Sequence, residues 1–285
     1  MITALVSLAL LFAAPLQEKA AQDKAPQEKK PAGEITEEEF KKLHELKQEA
    51  APPSKGTMVE IAKSKAYLSL PEGAKAPMPA VVVIHEWWGL NDHVKHWADR
   101  LAADGYAAVA VDLYGGTVAT TPDEANAEMK KVDPARSKEI LLAALAFLKD
   151  DPRVQATKRG SIGWCFGGKM SLQLALAAPD LDAAVMYYGH PELDPMKLEP
   201  MMAPLLGIFG TKDSSIPPKM VEKFQNALTE AKKEHTIFSY EAQHAFANPS
   251  NPKYDEENAG KAWIEVRKFL EKHLKAPAEA RVEPK

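Results

Sequence analysis

The chain has 285 residues, 45% of them hydrophobic and 27% charged, with a formal net charge of −4. These proportions suit one soluble globular domain with a sizeable core and terminal extensions, and the slightly acidic balance argues against nucleic acid as a partner. Having one cysteine excludes an internal disulfide and any multi-cysteine metal site, so Cys165 is either a buried small hydrophobe or a reactive thiol.

Met1 to Leu16 is apolar apart from Thr3, Ser7 and Pro15. It is shorter than the ~20 residues a spanning helix needs. It matches the apolar region of a secretory signal, with small Ala13 and Ala14 near a cut, although no Lys or Arg precedes it. Export to the periplasm or beyond is the expectation, with membrane attachment only if the segment stays uncleaved. Residues 17–56 read as a linker. Gln17 to Pro31 is a tract of Ala, Lys, Glu, Gln and Pro with little to bury, hence disordered. A short helix follows, with Thr36 and Glu39 at capping-box spacing and Phe40, Leu43 and Leu46 along one side, ending before Pro52-Pro53.

From Thr57 to Lys275 strands and helices alternate, and residues 276–285 form a flexible tail. Strand-like runs are Thr57–Ile61, Ala66–Leu70, Ala80–His85, Ala107–Val111, Gly160–Gly163, Ala183–Tyr188, Leu205–Phe209 and Thr236–Tyr240. Helical patterns cover Asn91–Ala103, closed by Gly105, then roughly Pro122–Val132, Arg136–Leu148, Gly168–Ala178, Pro217–Lys232 and Glu256–His273. Val81-Val82-Val83-Ile84 is continuously apolar, as a strand covered on both faces must be. The fold class is therefore α/β, with a mostly parallel sheet of about eight strands flanked by helices. In such sheets ligands bind beyond the carboxyl ends of the strands.

One of those ends carries Gly163-Trp164-Cys165-Phe166-Gly167-Gly168, between a short strand and a helix. This is the G-x-Nuc-x-G elbow with cysteine as nucleophile, its glycines relieving crowding in the tight turn. At a helix N-terminus the dipole favours thiolate. Such a nucleophile needs a base and an orienting acid later in the chain. Asp213 follows one strand in Gly210-Thr211-Lys212-Asp213, and His244 follows the last in Glu241-Ala242-Gln243-His244. Singly these read as a turn residue and a loop histidine; their joint placement marks Cys165, Asp213 and His244 as a triad. His44 and His273 fall on terminal helices, His93 and His96 share a helix face, and His190 and His235 lie in loops without a supporting acid. His85-Glu86-Trp87-Trp88-Gly89 begins like a zinc-protease motif, but Gly89 stands where the second histidine belongs, so no metal is expected. The backbone N–H groups of Trp87 and Phe166 are the expected oxyanion donors.

The strings His85-Glu86-Trp87-Trp88-Gly89-Leu90-Asn91-Asp92-His93, Asp112-Leu113-Tyr114-Gly115-Gly116, Gly163 to Gly168 and His244-Ala245-Phe246 resemble the dienelactone hydrolase family, over roughly Thr57 to Leu274. The resemblance implies an α/β-hydrolase fold without a large cap domain or cofactor; a monomer acting on a small ester or lactone is the expectation. It also implies that Glu86 contacts and helps activate the thiol. Trp88, Tyr114 and Asn248 are the expected substrate-pocket residues. One departure stands out: members that hydrolyse dienelactone hold its carboxylate with arginines, one of them four residues past the catalytic histidine, where this chain has Asn248. Lys130 and Lys131 attract anions but lack the bidentate fork, which argues against dienelactone itself. A thioesterase or peptidase on the same scaffold, or a non-catalytic binder, are the rival readings.

Overall fold

The computed structural model describes Leu46, Lys47, Ala51 and residues 53–275, all within one compact unit spanning Ala32–Lys285. The expected signal segment, tether and tail lie outside the described residues, as does the expected helix apart from Leu46, Lys47 and Ala51, none of which is helical. Eight strands build one sheet: β1 (Thr57–Ile61), β2 (Ser64–Ser69), β3 (Ala80–Ile84), β4 (Ala107–Val111), β5 (Arg159–Trp164), β6 (Ala183–Tyr187), β7 (Leu205–Gly210) and β8 (His235–Tyr240). Their order is β1-β2-β4-β3-β5-β6-β7-β8, and only the pairings made by β2 are antiparallel.

The helices are α1 (Asp92–Ala103), α2 (Pro122–Lys131), α3 (Pro134–Asp150), α4 (Phe166–Ala177), the single turn α5 (Pro195–Leu198), α6 (Pro218–Glu230) and α7 (Glu256–Leu270), which runs into a π-helical turn at Glu271–Lys275. Their starts follow sequence chemistry. Asn91 accepts from Val94 N–H at 3.1 Å, Thr121 and Glu124 form a capping box, and Asp255 accepts from Asn258 N–H at 3.0 Å.

Both faces of the sheet are covered. Val82 and Ile84 of β3 pack with Ile140, Leu141 and Leu145 of α3, Leu172 and Leu174 of α4, and Phe224 of α6. Their neighbours Val81 and Val83 point the other way, to Val94 and Leu101 of α1 and Trp263 and Val266 of α7. Every residue of β3 and β4 is buried, which is why these strands read as unbroken apolar runs. With β3, β5, β6, β7 and β8 parallel, their carboxyl ends meet on one rim, and the connections leaving that rim carry all the chemistry considered below.

Candidate active site

Cys165 lies between β5 and α4 with φ 52° and ψ −115°. An L-residue in that region costs on the order of 1–3 kcal/mol, so the surrounding packing must impose it. The turn is tighter than the sequence pattern suggested, since α4 begins at Phe166 rather than Gly168. A Cβ on Gly163 would lie 2.2 Å from the Gly167 carbonyl oxygen, within the elbow itself. Gly167 serves a different purpose. Its Cβ would meet Ile84 O at 2.2 Å and His85 O at 2.5 Å, so its bareness lets the first turn of α4 sit against the end of β3. That approach sets Phe166 beside the loop bearing Glu86 and Trp87. As the first residue of α4, Phe166 has an N–H with no intrahelical acceptor.

His244 and Asp213, the expected base and acid, lie side by side. His244 Nδ1 lies 2.7 Å from Asp213 Oδ2, with both side chains buried. Asp213 Oδ1 accepts from Ser215 N–H at 2.8 Å and Ile216 N–H at 3.0 Å, which fixes the carboxylate in its turn. Burial works against the Asp213 charge, but His244 and these N–H groups prevail and hold its pKa below the usual range. Burial also opposes a charged His244; Asp213 and Cys165 outweigh it and lift its pKa well above the ordinary value. Cys165 and His244 line the same cleft, and the Cys165 charge is among the causes that raise the imidazole pKa.

Glu86 is buried beside this group. Asn248 donates its side-chain amide to Oε2, and the Tyr188 hydroxyl reaches Oε1 at 3.4 Å. Burial raises the Glu86 pKa to about 7, against the opposing pull of His244, Asn248 and Tyr188. Its loop is held from beneath by His85, which is fully buried. Nδ1 of His85 faces the Glu86 carbonyl at 2.5 Å, and Nε2 accepts from Leu113 N–H at 3.1 Å. These partners require a neutral ring protonated at Nδ1, and burial accordingly lowers the His85 pKa.

A cleft of about 1060 Å³ opens over Cys165, Phe166, Tyr188 and His244. Its wall is mostly apolar, from Met129, Val132, Leu141, Met170 and Leu174, with Lys138, Lys169, Gln173, His190 and Glu192 among the polar groups. The expected pocket residues stand elsewhere. Trp88 is buried with Trp87, Ala119 and Ala125, because the wide indole completes a small core of its own. Tyr114 packs behind the wall, its ring centroid 5.6 Å from Phe166 and 4.7 Å from His85. Asn248 is spent on Glu86 and on Ser250, whose N–H and Oγ both donate to its Oδ1. Conversely His190, set aside in the sequence, lines the cleft, and His235 begins β8 rather than lying in a loop. Tyr188, which the sequence does not single out, lies just beyond β6 at φ 34°, its ring 5.0 Å from His244. The signal was present in Tyr187-Tyr188 at a strand's carboxyl end, the position already flagged for the other site residues. Among the described residues no group of three or more His, Cys, Asp or Glu could hold a metal ion.

Residues 64–274 match the model of the Dienelactone hydrolase family. The chain belongs to the dienelactone hydrolase family. Within it, the chain is 33% identical over 227 residues to a Synechocystis protein provisionally named carboxymethylenebutenolidase, covering 73% of this chain and 92% of that one. It is 32% identical over 237 residues to protein usf of Aquifex pyrophilus, covering 77% and 99%. Among solved structures, a dienelactone hydrolase-like promiscuous phosphotriesterase from metagenomic libraries superposes with a TM-score of 0.70 at 26% identity, covering 77% of this chain and 98% of that one. Family membership makes the protein a dienelactone hydrolase-like enzyme of the carboxylic ester hydrolase type, on an α/β-hydrolase fold.

Proposed function

We propose that the protein hydrolyses small carboxylic esters and lactones through a Cys165–His244–Asp213 triad and a thioester acyl-enzyme. The observation that carries this reading is the 2.7 Å bond from His244 to a buried Asp213, with His244 lining the same cleft as a cysteine held at an elbow. Cys165 gives its proton to His244, and sulfur attacks the ester carbonyl. The oxyanion is met by the Phe166 and Trp87 N–H groups. The tetrahedral adduct collapses to a thioester as the C–O bond breaks, and His244 returns the proton to the departing alkoxide or enolate. Water, deprotonated by His244, then attacks the thioester, releasing the carboxylic acid and restoring the thiol. Thiolate leaves more readily than an amine, so an adduct with an amide reverts, and peptides should be poor substrates. Glu86, about half protonated near pH 7, tunes the proton balance of His244 and the thiol.

The name shared by relatives points to a lactone, but Asn248 serves Glu86 and offers no cationic fork for a carboxylate. The apolar cleft suits esters with an aliphatic or aromatic acyl group. The reading is tested by Cys165→Ala, which should lower p-nitrophenyl acetate hydrolysis by at least about 10³-fold; full retained activity overturns it. We further propose that Met1–Leu16 directs export and is removed, which N-terminal sequencing of the protein from fractionated cells would decide.

A further inference from the structure

Leu46 and Lys47 precede the sheet, and nothing in their sequence suggests chemistry. Leu46 packs on the Trp87, Trp88, Ala119 and Ala125 cluster, on which Met129 and Phe166 of the cleft wall also pack. The adjacent Lys47 donates its backbone N–H to the Ser250 carbonyl. Ser250 in turn donates to Asn248 Oδ1 at 2.6 Å and 2.9 Å, and Asn248 donates to Glu86. Two consecutive residues therefore touch both loops that frame the site. One is the loop after β3, with Glu86 and Trp87; the other follows β8, with His244 and Asn248.

We propose that Leu46-Lys47 is a clamp that positions the loop after β3 against the loop after β8 for ester hydrolysis. The inference rests on the ester hydrolase reading above. Its physical basis is that an oxyanion donor acts only when held within a narrow distance of the developing charge. The Trp87–Trp88 segment lies outside any regular element and is held by packing and by the Ala119 N–H, which donates to the Trp88 carbonyl at 2.9 Å, so the side chain covering it contributes to how much it moves. The second contact is through main chain, so substituting Leu46 loosens one side and leaves the other.

The test uses the full-length chain with Leu46→Ala, Leu46→Asp and Leu46→Met. For each variant, kcat and KM for p-nitrophenyl acetate, the rate of Cys165 alkylation by iodoacetamide, and Tm are measured. Alkylation passes through no tetrahedral oxyanion, so it reports the thiol without the donors. Leu46→Ala should lower kcat about tenfold, a fraction of the ~10²–10³ that losing a donor costs. KM and alkylation should stay within about twofold of wild type, Leu46→Asp should be worse, and Leu46→Met should restore most of the rate. A kcat within twofold in both Leu46→Ala and Leu46→Asp overturns the clamp. So does a parallel fall of kcat, alkylation and Tm, which marks a merely structural contact. Cys165→Ala run alongside separates the two ideas: if it keeps hydrolysis, the nucleophile assignment falls and the clamp with it, whereas an inactive Cys165→Ala beside unaffected Leu46 variants removes the clamp alone.

Discussion

Asn248 donates its side-chain amide to Glu86 Oε2, joining two loops 162 residues apart in the chain. That bond favours the charged carboxylate, while burial favours the neutral acid and prevails, leaving a pKa of about 7. Asn248→Ala removes the opposing donor and should move the Glu86 ionisation upward by about one pH unit, in line with ~1.4 kcal/mol per unit for a hydrogen bond to a charged group. The corresponding limb of the kcat/KM profile should shift alkaline by the same amount. A profile superimposable on wild type would separate Glu86 from the rate.

The same raised pKa bears on stability. Between pH 4.5, the ordinary value, and about 7, folded Glu86 keeps a proton that the unfolded chain has released. The native state binds more protons in that window, so stability falls as pH rises through it. The loss amounts to about 3 kcal/mol across the window, from ~1.4 kcal/mol per unit. Glu86→Gln cannot titrate and should escape it. The raised pKa of His244 also contributes stability that fades with rising pH in both proteins, so the difference between the two pH dependences reports Glu86 together with its coupling to His244. Urea unfolding of wild type and Glu86→Gln at pH 5 and pH 8 measures the effect, and parallel pH dependences would reject it.

Asp213 binds His244 with one oxygen and two backbone N–H groups with the other. Asp213→Asn should preserve the turn, because the amide oxygen can still accept from Ser215 and Ile216. Facing His244 it then presents an NH₂ group, so the imidazole loses the charge that lifts its pKa. The expected result is a fall in kcat of about 10²–10⁴-fold with Tm nearly unchanged. A fall of less than threefold would mean that His244 needs no anionic partner.

What was legible in the sequence was whatever local chemistry dictates. The unbroken Val81 to Ile84 run announced a strand covered on both faces, and the elbow string announced Cys165, because both features follow from contacts between near neighbours. The ordering of Asp213 and His244 was legible because each follows a strand ending on the same rim. The pocket was not. Whether Trp88 faces a ligand or fills a core depends on Ala119 and Ala125, which a sequence motif does not place. Asn248 stands four residues past His244, where the family's substrate arginine would be, but its amide meets Glu86, a partner set only by the packing of distant loops. Gly167 likewise reads as an elbow glycine, whereas the atoms it spares are the carbonyls of Ile84 and His85.

Those glycine contacts give a last prediction with a built-in control. A Cβ at position 163 would sit 2.2 Å from the Gly167 carbonyl oxygen, and one at 167 would sit 2.2 Å from Ile84 O. Each partner is backbone within an element end that cannot yield without moving Cys165 or the loop after β3. Gly163→Ala and Gly167→Ala should each cost about 3 kcal/mol or more. At Gly115, by contrast, a Cβ meets nothing within 4 Å and only the φ of +64° opposes it. Gly115→Ala should therefore cost about 1 kcal/mol. Denaturant unfolding of the three variants separates collision from conformational strain, and equal costs at all three positions would show that crowding at the elbow does not set the cost.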